Sequence, residues 1–266
     1  MNTQPSAVWQ SRPDRLRERL HRSVAEGLSA CRSASPAIFF RADDIGVPGK
    51  SFARLMALFR RHQTPLALAV VPAWLTPDRW RAVQAMGGGG RGLWCWHQHG
   101  WRHVSHAVTG KNQEFDDRLG PGRIARDIHL GKARLQGVMG DVFFPGFTPP
   151  WNRCGMETLA CLREAGFSFI SRSAGAEPTP PPGLPDFPVN VDLHTRKETR
   201  PEEGWDGLFS EIRRGIACGC CGVMIHHQRM NDGAFAFLAL LLEMISGFPE
   251  LGRVHLGQLA LARQGA

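Results

Sequence analysis

The chain contains 266 residues, of which 42% are hydrophobic and 21% are charged, and its formal net charge is +8. These values are ordinary for a soluble globular protein with a sizeable core. No run of about 18 apolar residues occurs, so we expect no transmembrane segment.

The positive charge is compatible with nucleic-acid binding. However, many of the arginines are spread over helix-like segments, and no long basic tract or nucleic-acid-binding motif is present. We therefore predict a generally basic surface and no nucleic-acid partner. An anionic substrate is the secondary interpretation, because a positive field raises encounter rates with such ligands.

The N-terminal residues 1–22 lack the apolar core and the small-residue cleavage site of a signal peptide. Seven cysteines, an odd number without framework spacing, fit a reducing compartment better than a disulfide scaffold. Both observations predict a cytoplasmic protein.

Short apolar runs alternate with longer helix-like segments along the chain. After an N-terminal helix at about residues 13–30, residues 37–44 predict a buried strand and residues 50–62 a helix. Thr76 is expected to cap the next helix, whose first position is Pro77. Further strands are expected at residues 65–75, 92–99, 141–151, 167–173, 187–195 and 222–228, and near 252–257. Further helices are expected at residues 76–86, 121–139, 156–166, 204–217 and 235–245.

Strands that alternate with helices of this length predict parallel β/α units. About seven or eight such units favour an α/β barrel, complete or distorted, over two domains. We predict a single domain over residues 1–266, with the barrel at about residues 37–262. The proline-rich residues 176–188 are expected to form a loop over one rim of this barrel.

Polar side chains follow nearly every predicted strand at the point where the strand ends. In parallel β/α barrels the active site forms at these C-terminal ends, so we expect the polar side chains to lie close together. They are Asp43 and Asp44, His97, His99 and His103, residues 148–152, Arg172, Asp192, His194, His226 and His227.

The adjacent carboxylates of Asp43 and Asp44 follow a hydrophobic strand, where unpaired charge is costly. A metal ion or a cationic partner would offset that cost. One carboxylate with two imidazoles is a common set of ligands for catalytic zinc. The histidines at 99 and 103 are four residues apart, but no glutamate follows the first, so this is not the HExxH motif of metalloproteases.

Four motifs together resemble the polysaccharide deacetylase superfamily (NodB homology, carbohydrate esterase family 4). They occur in the family's order: RADD at 41–44, HGWRH at 99–103, TPPWN at 148–152 and VMIHH at 223–227. The resemblance implies a distorted (β/α)7 barrel and a metal-dependent hydrolase that removes an N-acyl group from a sugar. It also implies that Asp44, His99 and His103 bind one divalent metal ion, zinc, with Asp43 as general base and His226 as general acid.

The sequence departs from the family's pattern in two places. The arginine of the third motif, which orients the base, is replaced by Thr148, and Arg172, Arg41 or Arg153 could supply that cation instead. The glycine that usually follows the paired aspartates is displaced by one position, to Gly46.

Further residues are candidates for contacts with the substrate or for support of the catalytic groups. Pro149 and Trp151 belong to the third motif, and backbone N–H groups near Trp151 could stabilise an oxyanion. Asp192 could orient His226 by hydrogen bonding. His227 is an alternative to His226, because adjacent strand residues face opposite ways. His97 is a supporting group or a substitute ligand.

Two other interpretations remain open. The HxH pair of His97 and His99 is typical of the amidohydrolase superfamily, in which both histidines would contact the metal. The chain could also be a degenerate barrel that binds a saccharide or a metal without turnover. If it is an enzyme, its substrate is an N-acylated sugar or a sugar-containing small molecule, with nucleotide- and lipid-linked forms among the candidates.

Overall fold

A computed structural model describes residues 5–88, 90 and 92–265. The two ends of the predicted domain, residues 1–4 and 266, lie outside this range, as do residues 89 and 91. The strands are β1 (Ala37–Ile45), β2 (Leu66–Val70), β3 (Trp94–His99), β4 (Phe143–Thr148), β5 (Phe169–Ile170), β6 (Val191–Asp192), β7 (Cys220–Ile225) and β8 (Gly252–Val254). The helices are α1 (Leu16–Ala30), α2 (Lys50–Arg61), α3 (Pro77–Gly87), α4 (Pro121–Met139), α5 (Met156–Glu164), α6 (Pro201–Ala217), α7 (Asp232–Ser246) and α8 (Leu256–Gln264).

All strand pairs are parallel, and seven strands follow the order β5-β4-β3-β2-β1-β7-β6. The short β8 pairs with the first three residues of β1. The fold is therefore α/β, and the predicted distorted (β/α)7 barrel is confirmed. In β2 every residue is buried, because helices cover one face of the sheet and the barrel interior covers the other.

The predicted helices form close to their expected positions. Thr76 accepts a hydrogen bond from the N–H of Arg79 at 3.2 Å, and Pro77 is the first residue of α3, as the sequence indicated. Along α1 the buried residues include Leu20, Val24 and Gly27, and this face packs against α6. A Cβ atom at Gly27 would lie 2.8 Å from the carbonyl oxygen of Arg213, so the two helices approach closely at this glycine.

The barrel is least regular between β5 and β6, which contain two residues each. Longer strands were expected at residues 167–173 and 187–195. The chain between the two strands forms isolated bridges: Asp186 of the proline-rich segment pairs with Ile170 of β5, and Val189 pairs with Ser173, which follows β5. Proline has no N–H to donate to a ladder, so this segment cannot extend either strand regularly. Among the described helices, none is both long and apolar enough to cross a membrane.

Candidate metal centre and active site

A bulge in β1 brings the two adjacent aspartates to one side. In a regular strand, successive side chains point to opposite faces of the sheet. The pairing of β1 with β2 is regular at Ala42 and shifts before Ile45, and Asp44 has a φ angle of +63°. This left-handed conformation is uncommon for a residue other than glycine. Because of it, Asp43 and Asp44 line the same cavity.

Asp44, His99 and His103 form a compact set of three metal-ligand groups. The Oδ1 atom of Asp44 lies 3.3 Å from Nε2 of His99 and 3.1 Å from Nε2 of His103. The three ligand atoms lie within 4.8 Å of one another, and no other such group of histidine, cysteine, aspartate or glutamate occurs among the described residues. Burial raises the pKa of Asp44, but the contacts with His103 and His99 outweigh it and hold that pKa well below its usual value.

These residues fit a divalent cation. The Oδ1 atom of Asp44 is buried and has no hydrogen-bond partner in the described part of the chain. Such an orphaned carboxylate oxygen, faced by two imidazole nitrogens, is the donor set that zinc binds while keeping a position open for water. Both His99 and His103 face the carboxylate of Asp44, and these three residues are the set of ligands that the resemblance implied.

Hydrogen bonds to Thr148 orient the two histidines of β3. Nδ1 of His99 lies 2.9 Å from the carbonyl oxygen of Thr148. Since a carbonyl only accepts, Nδ1 carries the proton and Nε2 is left to bind a metal. His97 places Nε2 2.9 Å from the hydroxyl of Thr148, and burial lowers its pKa to about 3. His97 is thus a neutral buried neighbour outside the metal group, and the pair His97 and His99 does not converge as the amidohydrolase interpretation requires.

A buried glutamate holds the loop that carries His103. The carboxylate of Glu114 accepts hydrogen bonds from the N–H groups of Trp101 (3.1 Å), Arg102 (2.6 Å) and His103 (3.0 Å). Gly100 begins this loop with a φ angle of +58°, and a Cβ atom there would lie 2.1 Å from the Glu114 carboxylate. The sequence analysis missed Glu114, because nothing in the local pattern links it to a loop eleven residues earlier.

Asp43 is paired with Arg41, two residues earlier on the same strand. Nε and Nη2 of Arg41 each donate to one carboxylate oxygen of Asp43 at 2.8 Å. Arg41 also donates to Ser171, at 2.9 Å to its carbonyl and 2.8 Å to its hydroxyl, and to Asn152 Oδ1 at 2.6 Å. Burial raises the pKa of Asp43, but the Arg41 guanidinium and nearby His99 and His226 outweigh it, so the pKa is lowered and the carboxylate is ionised at neutral pH.

Three arginines are candidates for the cation that orients Asp43, and of these the structure places only Arg41 beside the Asp43 carboxylate. Arg172 is buried, but its Nε and Nη2 both donate to Oδ2 of Asp186 at 2.9 Å. Arg153 donates from Nη1 to the carbonyl oxygen of Asn112 at 3.1 Å. The expectation that Arg172 faces Asp43 is therefore not met, because the proline-rich segment brings Asp186 beside it instead.

The two histidines after β7 face different cavities. His226 is half-buried and lines the cavity that holds Asp43, Asp44 and the histidine ligands. His227 packs against Phe52, with ring centroids 5.5 Å apart, and lines a separate, mostly apolar cavity of about 570 Å³. Burial lowers the pKa of His227 to about 4. Of the two, only His226 is placed to reach a substrate beside Asp43.

Asp192 also lines the main cavity, but its carboxylate is engaged by the backbone. Oδ1 of Asp192 accepts hydrogen bonds from the N–H groups of His194 at 2.9 Å and Thr195 at 2.8 Å. No hydrogen bond joins Asp192 to His226 within the described residues, and Nδ1 of His226 is buried there without a partner. Asp192 therefore caps the turn after β6 rather than orienting the histidine.

The third motif forms a strained turn beside the metal group. Trp151 and Asn152 have φ angles of +55° and +59°, and the Trp151 ring centroid lies 4.4 Å from that of His103. Pro149 is buried and outside the cavity lining, and its carbonyl accepts from the N–H of Asn152 at 2.9 Å. Trp151 and Asn152 are thus the members of this motif that line the cavity, while Pro149 shapes the turn.

The main cavity has a volume of about 720 Å³ and opens at the C-terminal ends of the strands. A volume of this order is typical of small-molecule sites. Its lining brings together most of the polar residues that the sequence analysis selected. The lining residues are Asp43, Asp44, His99, His103, Asn112, Trp151, Asn152, Arg153, Ser173, Asp192, Thr195, Lys197, Met224, His226, Gln228 and Arg229.

No known sequence family and no curated protein matches the chain by sequence. Solved structures do match. A provisional polysaccharide deacetylase from Mycobacterium smegmatis is 16% identical, with a TM-score of 0.64 over 88% of this chain and 92% of its own. A polysaccharide deacetylase from Bacillus cereus is 13% identical, with a TM-score of 0.51 over 83% of this chain and 91% of its own.

A third similar structure is a carbohydrate esterase family 4 pseudoenzyme from Bacillus anthracis. It is 11% identical, with a TM-score of 0.54 over 85% of this chain and 66% of its own. The chain therefore has the fold of the family 4 polysaccharide deacetylases, and the resemblance predicted from the four motifs is confirmed at the level of the fold.

Proposed function

We propose that the protein is a metal-dependent hydrolase that removes an N-acyl group, such as acetyl, from a sugar or a related carbohydrate. One observation carries this proposal: the three ligand atoms of Asp44, His99 and His103 converge in a cavity that Asp43 and His226 also line. These residues supply a cation site, a base and an acid within one cavity. Metal-assisted hydrolysis of an amide uses all three.

A divalent metal ion bound by these three residues, zinc in our proposal, would polarise the acyl carbonyl and make a water molecule a better nucleophile near neutral pH. The carboxylate of Asp43 accepts the proton that the attacking water loses. Arg41 keeps this carboxylate ionised and fixes its orientation through two parallel hydrogen bonds. The departing amine is a poor leaving group, and the imidazole of His226 gives it a proton.

In this proposal Arg41 takes the positioning role that the third-motif arginine has in the family. Thr148 stands at that motif position and instead supports His97 and His99. The second candidate function, a degenerate barrel that binds a saccharide without turnover, is favoured by the absence of that arginine and weakened by the presence of Arg41 beside Asp43. For substrate, we propose an N-acylated sugar, with nucleotide- and lipid-linked sugars as forms to test.

We also infer a cytoplasmic location. All seven cysteines are free thiols in the structure, and those of Cys95, Cys154 and Cys221 are buried. Burial raises the pKa of the Cys221 thiol and makes it a packing group rather than a reactive one. Seven cysteines that form no disulfide, in odd number and without framework spacing, support this inference of a reducing compartment.

The test combines metal content with turnover. Zinc-supplemented protein is purified, its metal is quantified by mass spectrometry, and acetate release is followed with N-acetylated sugars. We expect the unmodified protein to bind near one equivalent of zinc and the His103→Ala variant to lose it. The Asp43→Asn variant should keep its zinc, but its turnover should fall at least about 100-fold. An unmodified protein that binds no metal would contradict the proposal. Bound metal without hydrolysis of any N-acyl sugar would favour the degenerate barrel.

A further inference from the structure

Basic side chains line the main cavity along the loops that follow β4, β6 and β7. Arg153 follows β4, Lys197 follows β6, and Arg229 follows β7, while Ser173 lines the cavity after β5. β4 pairs with β5, isolated bridges join β5 and the residues after it to the residues before β6, and β6 pairs with β7, so these loops follow one another around the cavity wall. This arc of the wall carries three basic side chains. The metal group comes from the loops of β1 and β3, outside this arc.

Among the described residues, the carboxylates that line the same cavity form no ion pair with Arg153 or Lys197. Asp43 is paired with Arg41, and Asp44 faces the two histidine ligands. Asp192 binds the backbone N–H groups that follow it. Each of the three is therefore engaged before a substrate arrives.

Arg153 and Lys197 have no counter-ion among the described residues. Arg153 contacts the carbonyl oxygen of Asn112 through Nη1, which restrains the guanidinium without neutralising it. Within the ranges that the structure describes, neither Arg153 nor Lys197 forms an ion pair. By contrast, the neighbouring Arg196 is neutralised by Glu198 and Glu211. Cations without partners at the wall of a cavity are suited to bind an anionic group on a ligand.

We propose that the sugar substrate carries an anionic substituent, a phosphate or a carboxylate, which Arg153 and Lys197 bind while the N-acyl group lies at the metal group. This inference rests on the proposed function and adds the substrate class to it. The cavity of about 720 Å³ has room for a sugar and a charged substituent. A neutral polysaccharide would leave these cations unpaired, whereas an anionic sugar pairs them and is also drawn in by the positive field.

The experiment compares N-acetylglucosamine with its 1-phosphate, its 6-phosphate and N-acetylmuramic acid on zinc-loaded protein. We expect at least one anionic sugar to have a kcat/KM about tenfold or more above that of the neutral sugar at low salt, with the ratio falling as ionic strength rises. Comparing the two sugar phosphates with N-acetylmuramic acid, which carries a carboxylate, identifies which anion is preferred. We expect Arg153→Gln to lower the ratio about tenfold and Lys197→Gln about threefold, because a guanidinium can hold the anion through two hydrogen bonds.

Arg81→Gln is the matched control, since it removes an exposed arginine of α3 that does not line the cavity and should leave the ratio unchanged. A wild-type ratio near one, or a ratio that neither cavity variant alters, would overturn the inference and leave the proposed function standing. Calorimetric binding of the same sugars separates the two ideas if nothing is hydrolysed. Tighter binding of an anionic sugar would then support this inference and contradict the proposed function, whereas equal or absent binding would contradict both.

Discussion

Arg41 and Asp43 illustrate how the pleat of a strand can bring two charged side chains together. Residues two apart on a strand share a face, so both side chains point into the barrel from β1. Arg41 has an exposed fraction of 0% and Asp43 of 2%, and a buried ion pair is tolerated only when its remaining hydrogen bonds are satisfied. Ser171 and Asn152 meet this requirement for Arg41. In the proposed mechanism, the base and the cation that orients it thus come from a segment of three residues.

Replacing Arg41 should impair turnover more than metal binding. In Arg41→Met the burial of Asp43 is no longer offset by the guanidinium, so the pKa of Asp43 rises. A general base acts only when ionised, so the acid limb of the pH–rate profile should move to higher pH and kcat should fall about 100-fold. Zinc stoichiometry should remain near that of the unmodified protein.

Arg172→Met is the control for Arg41→Met. Both variants break a buried ion pair, which destabilises a fold by about 3–5 kcal/mol, but Arg172 is paired with Asp186 outside the metal group. If Arg41→Met does not fold, the Arg41→Lys variant, which keeps the positive charge but cannot form the two parallel hydrogen bonds, is measured instead. Equal losses of kcat in the Arg41 and Arg172 variants, measured on the folded fraction, would refute a specific role for Arg41.

At the scale of elements, the connections after β1 and β3 determine the geometry of the site. The bulge in β1 turns Asp44 to the same side as Asp43, and the loop from Gly100 to His103 returns the second histidine beside the first. The bulge lies within β1 and is followed by the pairing of Ile45 with Val70, whereas the loop from Gly100 to His103 is not a regular element. The carboxylate of Glu114 accepts hydrogen bonds from three N–H groups of this loop and so holds it.

Removing the charge of Glu114 should weaken metal binding. In Glu114→Gln the three N–H groups lose a charged acceptor, His103 is less well held, and we expect zinc affinity to fall about 10- to 100-fold. Competition with a chromogenic chelator measures this affinity. Asp116→Asn is the matched control, since Asp116 lies two residues away and pairs with Arg118. Equal zinc affinity in Glu114→Gln and the unmodified protein would show that the loop does not depend on this carboxylate.

At the scale of the whole molecule, the metal group joins parts of the chain that are distant in sequence. Asp44 belongs to β1, while His99 ends β3 and His103 follows it. An ion that binds all three only in the folded state stabilises that state by mass action.

Zinc should therefore raise the melting temperature. At a free zinc concentration 100 times the dissociation constant, stabilisation is about 2.7 kcal/mol. For a domain of roughly this size, that corresponds to about 5–10 °C. Differential scanning calorimetry with zinc and with excess chelator measures the shift, and His103→Ala should abolish it. A melting temperature that zinc does not change would contradict a folded-state metal site.

The succession of strands and helices and the order of the four motifs can be predicted from the amino-acid sequence alone. Both are local patterns: apolar periodicity specifies element type, and parallel β/α units place the polar strand ends together. The sequence also shows that Arg41 and Asp43 are two residues apart, and side chains at this spacing in a strand point to the same face of the sheet.

Which of these groups meet depends on the three-dimensional fold. It selected Arg41 over Arg172 as the partner of Asp43, His226 over His227 as the histidine facing the cavity, and Glu114 as the support of His103. The physical reason is that these choices depend on a bulge, on left-handed residues and on contacts between distant loops. Such features break the local periodicities on which sequence reasoning depends.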